Sequence, residues 1–242
     1  MQYPRIYHPE ELSINKTVQL SDNAARHIGL VLRLSLGDRI ILFNGDGDEY
    51  LAEIENLQKK KIIINIIEKN TINRESVLSL HLGQAISRSE KMDWVIQKAV
   101  ELGVNDITPV ITQYTSAKAS PAKLEHWRKI ILSACEQCGR NKMPVLHTPL
   151  SLSVWIQQTN IHCGVICEPD ASMPLAKLAV SPDKPVHILI GPEGGFSREE
   201  ITLARQYHWQ PVRLGKPILR TETAAIAVIS ALQTLWGDFG EN

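Results

Sequence analysis

His187-Ile-Leu-Ile-Gly-Pro-Glu-Gly-Gly-Phe196 and Val212-Arg-Leu-Gly-Lys-Pro-Ile-Leu-Arg-Thr-Glu-Thr-Ala224 decide the reading of this chain, since each is a buried strand that breaks into a tight loop and then opens a helix. In the first, Ile188 to Ile190 is an apolar run of strand character. Gly191-Pro192 ends it, because proline lacks the N–H that a ladder needs and glycine reaches backbone angles closed to other residues. Gly194 and Gly195 leave the main chain open to close approach by a ligand. Ser197-Arg-Glu-Glu200 is a capping-box pattern and predicts a helix start. In the second segment Val212 to Leu214 reads as the strand, Gly215 as the turn, and Thr221 or Thr223 as the N-cap of a helix from Ala224 to Trp236. That helix is apolar nearly all round, so it must be covered on most of its surface by core or by another subunit. It is the expected homodimer interface.

Working back from these segments, strand and helix patterns alternate: Val77 to Leu82, Glu90 to Leu102, Ile107 to Ile111, Lys123 to Cys138, Val145-Leu146, Leu152 to Gln157, Ile161 to Cys167 and Pro174 to Ala179. Such alternation predicts a parallel sheet with helices on both faces. Met92, Val95, Ile96 and Ala99 recur at helical spacing and read as packing. The first part of the chain differs. Short β runs at Ile6-Tyr7, Thr17 to Leu20, Arg39 to Phe43, Glu49 to Glu55 and Lys61 to Ile67, with one helix from Asp22 to Leu34 after a Ser21 cap, predict a small barrel. Lys69 to Ser76 is polar and aperiodic, so the boundary is placed there, giving domains 1–70 and 77–242. Gly45-Asp-Gly-Asp48 faintly resembles a calcium loop, but no glutamate stands at the twelfth position, and a hairpin turn is expected.

The 242 residues, 43% of them hydrophobic, suffice for a real core in one large or two small domains. Met1-Gln-Tyr-Pro-Arg carries no basic leader followed by an apolar stretch, and no run approaches bilayer length, so a soluble cytoplasmic protein without a membrane partner is expected. A formal net charge of zero argues against nucleic-acid binding through overall positive charge. Local basic groups remain at Lys59-Lys60-Lys61, at Arg26, His27, Arg33 and Arg39, from Lys118 to Lys129, and at Arg140 and Lys142; each reads first as a solvated face. Cys135-x-x-Cys138 and Cys163-x-x-x-Cys167 mimic halves of a tetrathiolate zinc site, but they fall in a helix and a strand, so buried structural thiols and no metal are expected. No G-x-G-x-x-G follows the first strand of the second domain, and no G-x-x-x-x-G-K-[ST] occurs. A phosphate cradled at the Ser197 helix start is an alternative, but no lysine or acidic pair completes it.

Taken in order, the two C-terminal segments resemble the G-P-E-G-G and L-G-x-x-I-L-R-x-E-T-A motifs of the RsmE-type 16S ribosomal RNA uridine-N3 methyltransferases, of the SPOUT or trefoil-knot class. Glu90-Lys-Met-Asp-Trp-Val-Ile-Gln-Lys-Ala-Val-Glu-Leu-Gly103 is similar to the family's first catalytic-domain helix and Glu136-Gln-Cys-Gly-Arg-Asn141 to its second. His27 through Arg33, Gly37-Asp38 and Phe43-Asn44-Gly45 match its small barrel domain. The resemblance implies an α/β protein: a C-terminal parallel-sheet domain with a deep trefoil knot, preceded by a PUA-like β-barrel. It implies S-adenosylmethionine as cofactor, 16S rRNA in the small ribosomal subunit as partner, and methylation of a uridine N3 in the decoding region.

Ligands of open α/β sheets sit beyond the carboxyl ends of the strands. Glu168, Ile190, Gly191, Pro192, Glu193, Gly194, Gly195, Leu214, Gly215, Ile218, Leu219, Arg220, Thr221, Thr223 and Ala224 are therefore the expected cofactor residues, with Ile190, Leu214, Ile218 and Leu219 as apolar walls. Arg220, with Arg140 from a partner subunit, is expected to stabilise charge developing on the uracil oxygens. The competing role for Arg220 is an ion pair with Glu222 or Glu193. Those two carboxylates are candidates for the base by position only. Arg5, Arg26, His27, Arg33 and Lys91 are the expected RNA contacts. Two departures stand out: Lys216-Pro217 replaces the family's proline-arginine order, and Tyr114 in Thr112-Gln-Tyr-Thr115 replaces an expected arginine, with compensation by Lys118 an open question. The rival reading is a non-catalytic RNA-binding protein of ribosome assembly.

Overall fold

The computed structural model describes residues 3–58, 61–116, 119–158, 162–181 and 183–240. Met1, Gln2, Lys59, Lys60, Lys118 and Ile161, all used in the sequence reading, lie outside the described residues. The chain divides into two compact units, Met1–Glu75 with Cys135–Met143, and Ser76–Ala134 with Pro144–Asn242.

The first unit is a five-stranded mixed sheet of β1 (Arg5–Tyr7), β2 (Thr17–Gln19), β3 (Arg39–Phe43), β4 (Glu49–Gln58) and β5 (Lys61–Asn70), in the order β1-β3-β4-β5-β2. Period-two alternation places Ile62, Ile64 and Ile66 of β5 in the core, where they meet Ile40, Leu42, Ala52 and Ile54. Asn44 to Asp48 form the β3–β4 connection, with Gly45 at φ 96° and Gly47 at φ 105°, and Asp46 accepts from Asp48 N and Tyr50 Oη. That is hairpin chemistry. The helix expected over Asp22 to Leu34 is shorter: α1 spans Asp22–Arg26, capped by Ser21 accepting from Ala24 N, and continues as a π-helical segment His27–Leu32. It stops where Arg33 turns left-handed at φ 53°, with Leu30 and Val31 exposed and Ile28 in the core.

Arg5, expected at an RNA surface, is 9% exposed. Its Nη1 donates to Glu49 (2.8 Å), its Nη2 to Asn141 Oδ1 (2.5 Å), and its guanidinium stacks 5.0 Å from the Phe43 ring centroid. A guanidinium spent on a buried carboxylate is unavailable to phosphate, so Arg5 is a structural pin.

The second unit carries an all-parallel sheet. Its strands are β6 (Leu80–Ala85), β7 (Asp106–Ile111), β8 (Val145–Leu146), β9 (Leu150–Ser151), β10 (Cys163–Cys167), β11 (Val186–Ile190) and β12 (Trp209–Val212), ordered β12-β10-β11-β6-β7-β8 with β9 also on β7. Helices α2 (Ser89–Glu101), α3 (Pro121–Cys138, counted here as far as Ala134), α4 (Leu152–Gln158), α5 (Arg198–Gln206) and α6 (Thr221–Trp236) connect or flank them. β11 is buried at every residue, as a strand covered on both faces must be. The expected strand at Val212 to Leu214 ends at Val212; beyond it only Arg213 pairs, as a single bridge to Pro174. Pro174 to Ala179 contains a short 3₁₀ turn, Leu175–Lys177. Cys135 and Cys163 are buried and Cys138 and Cys167 half-buried, all as free thiols, and burial pushes Cys135 and Cys167 up to about 12.

Trp209, Gly164, His187, His81 and Asp106 stand in one register row across five adjacent strands. One residue pair further along, Gly83 offers no side chain, and the Trp155 indole of α4 occupies that space. Trp155 lies 5.1 Å from Trp209 and 5.4 Å from His81, ring centre to ring centre.

Candidate cofactor and active site

Three loops meet beyond the carboxyl ends of β10, β11 and β12. Glu168 N donates to Val212 O (3.0 Å) and Arg213 N to Met173 O (2.9 Å), which fastens the loop after β10 to the one after β12. Thr221 Oγ1 donates to Gly191 O (2.6 Å), which fastens the loop after β11 to the start of α6. Between them lies a hollow of about 500 Å³ lined by Lys91, Pro169, Ile190, Gly191 to Gly195, Ile218 to Thr221 and Ala224. A smaller recess of about 40 Å³, sharing Pro169, Leu219 and Ala224, is lined also by Cys167, Glu168, Val212 to Gly215 and Pro217.

Every residue expected to hold a cofactor lines one of these two spaces except Thr223, which is exposed. Thr223 was an N-cap candidate together with Thr221. The cap is instead Arg220, in extended conformation, its carbonyl accepting from Ala224 N; Thr221 is the first residue of the helix itself, and its hydroxyl donates to Gly191 O. Tight space at two of the glycines and backbone angle at a third favour glycine here. A Cβ on Gly191 would press on the Phe196 ring at 3.0 Å, and one on Gly194 on Tyr114 Cβ at 3.1 Å, while Gly195 has φ 73°. Tyr114, one of the two departures from the family pattern, thus packs directly on the glycine loop. The loop is closed by Gly195 N donating to Pro192 O, and α5 follows with both bonds of the expected Ser197–Glu200 capping box present.

The charges differ from expectation. Glu193 and Glu222 pair with Lys91 Nζ, at 3.4 and 3.3 Å, and Arg220 is exposed at the rim. Lys91, expected on RNA, therefore belongs to the hollow. Burial opposes ionisation of Glu193, but its own backbone N–H, the Lys91 ammonium and the Arg88 backbone outweigh it and hold the carboxyl below the usual range. Glu168 is pushed the other way by burial. The signal for Lys91 was its place in the first turn of the helix after β6, a strand that pairs with β11. Gln84, buried at the end of β6 and bonded to Thr221, went unnoticed in the sequence.

Arg140 is placed in the first unit, 5% exposed, with its guanidinium on the Glu75 carboxylate. The expected approach to a substrate meets a side chain already paired and enclosed. Arg26, His27 and Arg33 are exposed, Arg26 beside a hollow of about 530 Å³ that includes Gly29, Leu30, Leu57 and Ile62.

The RNA methyltransferase domain family model matches residues 74–233, and the RNA methyltransferase PUA domain model residues 20–67. A ribosomal RNA small subunit methyltransferase E of Buchnera aphidicola subsp. Schizaphis graminum is 41% identical, over 97% of this chain and 97% of its own length. The chain belongs to the ribosomal RNA small subunit methyltransferase E family. Its fold is that of two solved structures: a methyltransferase of Legionella pneumophila in complex with S-adenosylmethionine (42% identity, TM-score 0.95, 99% of this chain and 100% of that one) and the family's protein from Neisseria gonorrhoeae bound to the same compound (38%, 0.93, 98% and 100%). The fold class expected from the sequence, a SPOUT-type parallel-sheet domain preceded by a PUA-like domain, is the one found.

Proposed function

We propose that this protein transfers a methyl group from S-adenosylmethionine to N3 of a uridine in the decoding region of 16S rRNA, on the small ribosomal subunit, and acts in the cytoplasm as a homodimer. The observation that carries the proposal is the convergence of both glycine-bearing motifs on one hollow in a member of this family. The hollow fits the donor. It has the size of a small-molecule site, apolar walls at Ile190 and Leu219, and glycine main chain that presents N–H and C=O groups without intervening side chains. Glu193 lines it and Glu168 the adjoining small recess, and both carboxylates complement a cationic ligand. When bound, S-adenosylmethionine supplies an electrophilic methyl group on a sulfonium.

The chain's own residues then have three tasks. Gly191 to Gly195 and Leu219 hold the donor and exclude water, so that position supplies much of the rate. Lys91 keeps Glu193 and Glu222 paired. Arg220, exposed at the rim, stabilises the negative charge that develops on the uracil oxygens as the N3 proton passes to water, after which the uridinate N3 takes the methyl, the sulfur being left as a neutral thioether. A carboxylate held below its usual range is a weak base, which moves the burden from Glu193 to charge stabilisation by Arg220. Because N3 lies on the Watson–Crick edge, the target must be unpaired or flipped out. Arg26, His27 and Arg33 supply exposed basic contacts for that RNA, and the α6 helix supplies the dimer interface. The two functional parts are residues 1–70 for RNA binding and 77–242 for catalysis.

The test is methyl transfer from labelled S-adenosylmethionine to small subunits lacking the modification, followed by nuclease digestion. Appearance of 3-methyluridine is expected. Label in a different nucleoside overturns the regiochemistry; RNA affinity with no donor binding favours a non-catalytic RNA-binding role.

A further inference from the structure

A short hydrogen-bonded chain beneath the proposed donor site joins its two loops. Gln84 is fully buried on β6, in register with Ile190 at the end of β11. Its Nε2 lies 3.1 Å from Ala85 O and 3.0 Å from Thr221 Oγ1, and Thr221 Oγ1 lies 2.6 Å from Gly191 O. The direction of every bond is forced. A backbone carbonyl can only accept, so the nitrogen of the Gln84 amide, not its oxygen, faces Ala85. That same nitrogen donates to the Thr221 hydroxyl, whose single proton then goes to the Gly191 carbonyl.

The chain links three places far apart in sequence: the end of β6, the first residue of the glycine loop, and the first residue of α6. Thr221 is 6% exposed and Gln84 0%, so water does not compete for these bonds. Gln84 Oε1 has no hydrogen-bond partner among the described residues. Holding an amide in a place where its oxygen goes unsatisfied marks the nitrogen as the half that matters.

We infer that Gln84 and Thr221 are positioning residues for methyl-donor binding: they orient the Gly191 carbonyl and lock the glycine loop against the start of α6 in the arrangement that receives S-adenosylmethionine. The inference rests on the donor reading given above. Neither side chain needs to touch the reacting atoms.

Titration calorimetry with S-adenosylmethionine, together with thermal melting, tests it on the full chain. Thr221→Val keeps the shape and removes the proton, and should weaken donor binding about tenfold, whereas Thr221→Ser should stay within about threefold of the parent. Gln84→Met should also weaken binding, and the Gln84→Met/Thr221→Val pair should add little to Thr221→Val alone, because both break one chain. A role in stability alone would lower the melting temperature while the folded Thr221→Val protein binds donor as the parent does, and that result overturns the inference. If Thr221→Ser binds as weakly as Thr221→Val, the hydroxyl is not the cause and the inference also fails. A parent protein that binds no donor overturns the donor reading and this inference with it, and is told apart from a failure of the inference alone because the loss is then already present in the parent.

Discussion

Adding one methyl group at Gly83 tests the packing under the parallel sheet. A Cβ built there lies 2.3 Å from Trp155 Cη2, 2.4 Å from Cζ3 and 2.8 Å from Cζ2. Ordinary carbon contact is about 3.5 Å, so the indole edge must retreat by more than about 1 Å. It has nowhere to go. Trp155 is 2% exposed, and its ring is packed against Trp209 at 5.1 Å and His81 at 5.4 Å. Overpacking of this kind costs about 1 to 3 kcal/mol, and the rigid ring puts Gly83→Ala at the upper end. Reduced freedom of the unfolded chain returns roughly 0.5 to 1 kcal/mol, which leaves a net loss of about 2 kcal/mol. For a chain of this size that corresponds to a fall in melting temperature of about 4 to 8 °C. Differential scanning calorimetry on Gly83→Ala, Trp155→Leu and the pair measures it. Trp155→Leu alone leaves a void and destabilises; combined with Gly83→Ala the void is partly filled, so the pair should be less damaging than the two losses added, by at least about 1 kcal/mol. A neutral Gly83→Ala, or strict additivity, would falsify this account of why the position is glycine.

Arg220→Ala should lower turnover about a hundredfold while donor affinity, read by calorimetry, changes less than about threefold; unchanged turnover removes Arg220 from the mechanism. Arg140→Met strands the Glu75 carboxylate, whose side chain is 13% exposed, and should cost about 3 kcal/mol of stability. Its turnover when folded should match the parent, and a specific loss of turnover would instead restore Arg140 to the chemistry. Acid should also destabilise the sheet unit. Burial, reinforced by charge on His187 and His147 and opposed by Asp106, pushes His81 down from 6.5 to about 4, and burial lowers His187 as well. The native state then binds fewer protons than the unfolded one, so stability is full above the ordinary histidine value and falls as pH drops from 6.5 towards about 4. For His81 alone the loss is up to about 3 kcal/mol. His81→Gln should flatten this part of the melting-temperature profile, and an unchanged slope rejects the assignment.

What the sequence revealed and what it hid separate by the distance between interacting residues. The Ser197–Glu200 capping box spans one helical turn, and both of its bonds stand where the pattern put them. The alternation in β5 and the apolar run of β11 are likewise local, and so were legible. The π-helical turn at His27 was not, because the pattern of apolar residues there suits an ordinary helix equally well and only the packing of Ile28 against the sheet selects among turns. Arg5 looked like an RNA contact because its partners Glu49 and Asn141 lie 44 and 136 residues away.

The proposed donor site repeats this division. Its glycines could be found because each motif carries its own strand, loop and helix start. Gln84 could not, and Lys91 was singled out but assigned to RNA, since their places beside the glycine loop depend on β6 lying next to β11, and strand order is set by the whole sheet. That neighbourhood brings Lys91 to Glu193 and Glu222 and brings Gln84 to Thr221. Parallel neighbours leave their following loops at the same edge, so a βα joint bearing no glycine motif still contributes to the site. Motifs therefore point to the surfaces proposed to meet the ligand, whereas a group such as Gln84 that holds those surfaces in place belongs to the adjacent strand, and mutating it should alter affinity without removing a contact from the lining of the hollow.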